Sequence, residues 1–122
     1  MISPKRIKEI ISMLPKEAHP RLGGSANLYF RGLMDSYRDI DIIVSSVDNV
    51  SLPFPKIEQT TPYSMNRRLK YCIDGREVDI LESLFPHDES NDSMFGIEFE
   101  SEANVRKAKE MIVEFKKRAA AN

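Results

Sequence analysis

Asp39 and Asp41 are the residues whose type and spacing most directly suggest chemistry. They alternate with Ile40, Ile42 and Val44, the pattern of a half-buried strand, so both carboxylates fall on one face. Residues two apart on a strand are separated by about 6 to 7 Å, close enough to converge on one divalent cation or to hold two adjacent ones. An isolated pair of like charges repels, so a positive partner is expected there. Aspartate is also depleted in strands, and two at alternate positions ask for a reason. Upstream, Gly23-Gly24-Ser25 offers backbone N–H groups unobstructed by side chains, plus a hydroxyl, at a strand-to-helix turn that can hold an anion. Taken alone, Gly-Gly-Ser reads first as a plain tight turn with a serine cap and only second as a phosphate site. No P-loop lysine follows it, and no Gly-x-Gly-x-x-Gly pattern is present.

Together these residues resemble the signature of the DNA polymerase β-like nucleotidyltransferase superfamily: a hydrophobic residue, Gly, Gly or Ser, a short helix, then Asp-hydrophobic-Asp-hydrophobic. Here Gly24-Ser25 is followed by a spacer of thirteen and by Asp39-Ile40-Asp41-Ile42. The resemblance implies an α+β (mixed α/β) fold, a small twisted mixed sheet with helices packed on one side, its core motifs within about residues 20–82. It further implies that Gly23, Gly24 and Ser25 contact the phosphates of a nucleoside triphosphate, ATP in the first instance. Asp39 and Asp41 are then magnesium ligands, with two ions expected, and a third acidic residue on a later strand completes the catalytic and metal set. Asp79, in Arg76-Glu77-Val78-Asp79-Ile80-Leu81, is the candidate. Two positions depart from the family pattern: Arg38 stands where a small residue often precedes the first Asp, and Asn27 where many relatives carry a basic residue.

The elements that must position these groups are legible in turn. Ser3 as N-cap and Pro4 at the first helical position open a helix whose Ile7, Ile10, Ile11 and Leu14 share one face. Pro15 and Pro20 close it and frame a connection through the loop histidine His19. Arg21-Leu22 is a short first strand feeding the glycine turn. A helix over 25–34 is expected to pack Leu28, Leu33 and Tyr29 against the sheet, with Ser25 capping its start or bonding a phosphate. Pro53, Pro55 and Pro62 make 45–66 irregular, with a short edge strand over 57–61.

Asp74-Gly75 is a favoured two-residue hairpin turn between 68–73 and 76–81. Such a loop pairs Ile73 with Arg76, Cys72 with Glu77, Tyr71 with Val78, Lys70 with Asp79 and Leu69 with Ile80. Directly opposed residues share a face, so Leu69, Tyr71, Ile73, Val78 and Ile80 form a core side. Asp79 joins the polar side with Lys70 beside it. Alone this is an ordinary cross-strand pair; in the light of the resemblance, Asp79 is the third carboxylate. Lys70 is a candidate triphosphate contact, with Arg68, Arg67 and Arg38 behind it. Residues 86–93 read as a polar loop with an exposed His87, and Ile97 and Phe99 as a short strand or core plug. Ser101 caps a final helix over about 102–119 with Val105, Ala108, Met111, Ile112 and Phe115 as its buried stripe. Its last turn carries Lys116, Lys117 and Arg118, which suits the helix dipole.

A chain of 122 residues fits one domain over 1–122, with little room for a second lobe. The formal net charge of -1 gives no general attraction to nucleic acid, so a long polynucleotide is not an expected partner. A lone Cys72 permits no internal disulfide, and neither a signal-peptide run nor a membrane-length span is present, so a cytoplasmic setting is expected and a membrane partner is not. The expected activity is transfer of a nucleoside monophosphate to a hydroxyl on a small-molecule or protein acceptor. With so little chain outside the core, a homo-oligomer or a second chain would complete the acceptor site. In size and core motif the chain also resembles the minimal nucleotidyltransferase antitoxins, which modify a helical toxin partner. A non-catalytic nucleotide-binding or interaction module is the alternative of a different class.

Overall fold

A computed structural model describes residues 2–58, 65–87 and 91–121. Helix α1 (Pro4–Ser12) starts as its sequence requires: the Ser3 hydroxyl accepts the Arg6 N–H at 3.2 Å, and Pro4 takes the position where its missing donor costs nothing. Ile7 and Ile10 are wholly buried. After a single 3-10 turn (Lys16–Ala18) and His19 in the left-handed region, β1 (Arg21–Gly23) leads into α2 (Gly24–Phe30).

Helix α2 is shorter than its apolar spacing suggests. Gly32 adopts φ +79°, its N–H goes to the Tyr29 carbonyl, and the Leu33 N–H returns to the Leu28 carbonyl, both at 2.9 Å. This glycine-terminated closure satisfies the last carbonyls and stops the helix before Leu33. Leu28 is buried and Tyr29 packs against the core, but Leu33 is turned to solvent at 46% exposure, not packed on the sheet.

Strand β2 (Ile40–Val44) follows, then β3 (Arg68–Ile73) and β4 (Arg76–Glu82) as a hairpin in the expected register, from Ile73 opposite Arg76 to Arg68 opposite Leu81. Asp74 and Gly75 both have positive φ, which matches the turn to the right-handed twist of the strands. A second hairpin, β5 (Asp92–Met94) and β6 (Ile97–Phe99), turns through Phe95 and Gly96, also at positive φ. It begins inside the stretch that reads as a polar loop, of which 88–90 lie outside the described residues. Ile97 and Phe99 are buried strand residues. Of the edge strand expected over 57–61, residues 59–61 lie outside the described residues. Pairing onto β3 comes earlier, with Cys72 N–H to the Pro55 carbonyl and Ile57 N–H to the Lys70 carbonyl.

The six strands form one mixed sheet in the order β3-β4-β2-β1-β6-β5, with β4/β2 and β1/β6 parallel and the other pairs antiparallel. One face gathers Ile40, Ile42, Val44, Tyr71, Ile73, Val78 and Ile80 with Ile7 and Ile10 of α1 and Ala26 of α2. Each such aliphatic side chain contributes about 1.5–3 kcal/mol by leaving water, so this face holds the domain together. The opposite face carries Asp41, Ile43, Asp79 and Leu81. Helix α3 (Glu102–Ala121), begun by the Ser101 hydroxyl accepting the Asn104 N–H, runs beside that second face and touches α2. Only Val105 of its stripe is buried; Ala108, Met111, Ile112 and Phe115 are half-covered. Among the described residues no helix is long and apolar enough to cross a membrane.

Candidate active site

Parallel pairing of β2 with β4 sets Asp41 directly beside Asp79. Neighbouring strands lie about 4.8 Å apart, so two carboxylates of like charge share one spot on the polar face. Asp79 is 5% exposed, and its Oδ1 is buried without a hydrogen-bond partner. Burial, with Asp41 as the next cause, pushes the Asp79 carboxyl up to about 7. Burial, then the charge of Asp39, pushes Asp41 up to about 6. The Arg68 guanidinium stands 4.0 Å from Asp79, a loose contact that offsets little of this cost.

Asp39 is placed differently. It precedes β2, is exposed, and lines a separate polar cavity with Arg38, Arg76 and Glu77. Among the described residues no three His, Cys, Asp or Glu side chains form a group able to hold one ion. The geometry thus joins Asp41 and Asp79, with Asp39 at the rim near enough for its charge to be felt. In donor chemistry the pair suits a hard divalent cation: two carboxylates with excess negative charge, one bearing an orphaned oxygen.

The glycine turn abuts this pair. A Cβ on Gly24 would lie 2.1 Å from Asp41 Oδ2, and the residue has φ +61°, so only glycine fits. A Cβ on Gly23 would lie 2.6 Å from the Ile43 side chain. Ser25 sits inside the first turn of α2 and does not cap it; the cap position is Gly23, which has no side chain. The Ser25 hydroxyl instead meets the Lys109 ammonium of α3 at 3.3 Å. Lys109 is absent from the residues singled out in the sequence. Its signal was a lysine at the fourth position after Val105 and the third before Ile112, interrupting the apolar stripe on its inner side.

Lys70 lies opposite Asp79 in register, but its ammonium bonds Glu77 at 3.3 Å. Its charge still draws the Asp79 carboxyl downward against the larger effect of burial. Arg67 is drawn away to Asp48 and Glu82 on the surface. Asn27, a departure from the pattern the sequence resembles, is wholly buried and structural. Its amide donates to the carbonyls of Leu22 and Glu100 at 2.8 and 2.9 Å, and its oxygen accepts from Arg31. It pins α2 to β1 and to the chain leaving β6, next to the glycine turn.

No family model and no curated protein matches the sequence. Among solved structures the chain is similar to a crystal structure of "a putative nucleotidyltransferase (TM1012) from Thermotoga maritima". The match has a TM-score of 0.67 at 17% identity and covers 99% of this chain and 92% of that one. The similarity therefore extends over the sheet and all three helices and is one of architecture. With the glycine turn, the β2–β4 acidic pair and the mixed six-stranded sheet in place, the chain has the nucleotidyltransferase fold.

Proposed function

We propose that this domain is a metal-dependent nucleotidyltransferase that moves a nucleoside monophosphate from a triphosphate to a hydroxyl acceptor and releases pyrophosphate. The observation that supports it is the Asp41–Asp79 pair, a half-buried carboxylate beside a buried one, packed against Gly24 with one oxygen left without a partner. Folding alone gains nothing from that arrangement, since two adjacent carboxylates in a poorly solvated setting repel.

Asp41 and Asp79, with Asp39 at the rim, would hold magnesium. Bound there, magnesium would neutralise phosphate charge and polarise the phosphoryl group under attack. Gly23 and Gly24 let the backbone come close to the triphosphate without steric interference, and the Ser25 hydroxyl adds a hydrogen bond. Lys70 and Arg68 on β3 supply positive charge beside the acidic pair. Asp79 orients the acceptor hydroxyl and takes its proton as the oxygen bonds to the α-phosphorus and the pyrophosphate oxygen departs. The acceptor, on a small molecule or a protein, approaches from the open side of the polar face; a second copy or another chain completes its site. ATP is the first nucleotide to test.

Incubation with α-labelled nucleoside triphosphates, Mg²⁺ and candidate acceptors tests the reading. Asp41→Asn is expected to cut label transfer by about 100-fold or more while the fold survives. Transfer unchanged by Asp41→Asn would contradict the role given to the pair. The exposed, separated position of Asp39 favours one competing reading, a module that binds nucleotide without turning it over. Calorimetric binding of ATP and Mg²⁺ without transfer to any acceptor would support that module.

A further inference from the structure

At the end of the sheet where β2 begins, the acidic pair is flanked on two sides. On the β1 side lies the glycine turn, with Gly23 opposite Asp41 in register. On the β4 side, beyond the first pairing of Ile40 with Val78, lies the cavity that Asp39 faces. It is open, measures about 510 Å³, and is walled by the chain entering β2 and by the β3–β4 turn. Among the described residues its charged lining is Arg38, Asp39, Asp74, Arg76 and Glu77. Two of these acids are already compensated. Asp74 accepts two hydrogen bonds from the Arg6 guanidinium, at 2.9 and 3.3 Å, and Glu77 pairs with Lys70 at 3.3 Å. The two arginines are not. Among the described residues the Arg38 guanidinium has no carboxylate partner, and that of Arg76 reaches the Arg38 backbone carbonyl at 3.4 Å. The uncompensated charge facing the cavity is therefore two guanidinium groups against the single carboxylate of Asp39.

Resting on the nucleotidyltransferase reading, we propose that this cavity takes the acceptor, and that the acceptor is a small alcohol bearing an oxyanion, phosphate or carboxylate, held by Arg38 and Arg76. Three features select this occupant. A guanidinium presents a planar fork of donors matched to phosphate and carboxylate oxygens, and two such forks line one cavity without an acid of the protein to engage them. The cavity lies across the acidic pair from the glycine turn, so a triphosphate at the turn and an acceptor in the cavity reach Asp41 and Asp79 from opposite flanks and do not compete for one place. Asp39 stands between the arginine wall and Asp41, and two residues along a strand span roughly 6 to 7 Å. An acceptor anchored by its oxyanion therefore brings to the pair a hydroxyl a few bonds away, which suits a compact molecule. The hydroxyl oxygen then bonds to the α-phosphorus, its proton passes to Asp79, and the bond from that phosphorus to the pyrophosphate oxygen breaks. A phosphodiester and pyrophosphate result. Arg38 and Arg76 hold the far end of the acceptor and not the reacting atoms, so they set which alcohol is used.

NMR titration of the full chain with glycerol 3-phosphate, glycerate and glycerol, and separately with inorganic tripolyphosphate and Mg²⁺, tests the assignment. The anionic alcohols are expected to shift the amide signals of Arg38, Asp39 and Arg76, and glycerol to leave them in place; the tighter of the two names the anionic group. Arg38→Ala and Arg76→Met are each expected to weaken that ligand by about tenfold, the loss of one charge-assisted contact, with tripolyphosphate affinity kept, and Arg38→Lys to restore part of the loss. Should Arg76→Met fail to fold, Arg38→Ala carries the test, since that exposed side chain bonds nothing among the described residues. With α-labelled ATP, label should pass to the anionic alcohol and not to glycerol at the same concentration. Anionic alcohols that bind or accept label no better than glycerol overturn the acceptor site and leave the nucleotide reading standing. So does an equal loss of tripolyphosphate affinity in Arg38→Ala, which gives the arginines to the triphosphate. Wild-type protein that binds no tripolyphosphate overturns the nucleotide reading and the acceptor site with it.

Discussion

Two pairs of charged groups are drawn together by this one sheet, and they are satisfied to opposite degrees. Arg21 on β1 and Glu100 beyond β6 form an ion pair at 2.6 Å with side-chain exposures of 0% and 5%. The remaining guanidinium donors go to the His19 carbonyl at 2.9 Å and the Ser83 hydroxyl at 3.0 Å. Opposite charges, good geometry and a hydrogen bond from each guanidinium nitrogen let the interior accept them. Asp41 and Asp79 are of like charge, sit side by side, and leave one oxygen without a partner. A fold keeps an arrangement of the first kind for its own integrity; one of the second kind points to a task beyond folding.

The largest effect is expected from breaking the satisfied pair. Arg21→Met strands Glu100 as an uncompensated buried charge, and removing one partner of such a pair costs about 3–5 kcal/mol. Thermal unfolding should fall by roughly 10 °C or more. A shift of only a degree or two would mean that Glu100 finds solvent and that the two pairs are less different than their burial indicates.

The acidic pair should respond in the opposite direction. Both carboxyls titrate higher in the folded protein than the ordinary value near 3.8, at about 6 for Asp41 and about 7 for Asp79. The folded state therefore binds more protons than the unfolded state between about pH 4 and pH 7, and stability without divalent cations declines as pH rises through that window. Asp79→Asn removes the repulsion. It should flatten the decline and raise stability at pH 8 by about 1–2 kcal/mol, with no gain below pH 4, while lowering any transferase activity. Chemical denaturation of both proteins across this pH range measures it. A variant less stable than wild type at pH 8 would indicate that Asp79 is held by favourable contacts after all.

The contrast also separates what the sequence discloses from what it does not. The β3–β4 hairpin was legible to the residue because Asp74-Gly75 dictates a two-residue turn and a period of two then assigns every side chain to a face. From that register alone Asp79 falls on the polar side. Its meeting with Asp41 is a tertiary fact, set by parallel pairing of strands far apart in the chain. The Arg21–Glu100–Ser83 group was invisible for the same reason: Glu100 and Ser83 lie 79 and 62 residues from Arg21, and nothing local marks them. Apolar spacing alone carries α2 on to Leu33, whereas the left-handed conformation of Gly32 ends the helix first. Asn27 stood out as a departure from the family pattern, yet its two carbonyl partners, which explain it, come from β1 and from the residue after β6. Lys109 was within reach, since it breaks an apolar helical stripe on the inner side.

The most direct measurement is the thermal midpoint at pH 8 with and without saturating Mg²⁺, for wild type and for Asp79→Asn. A cation that seats between Asp41 and Asp79 stabilises only the folded state, so the wild-type midpoint should rise with Mg²⁺ and that of Asp79→Asn should not. No rise in the wild type, or an equal rise in both proteins, would contradict a cation site at the acidic pair.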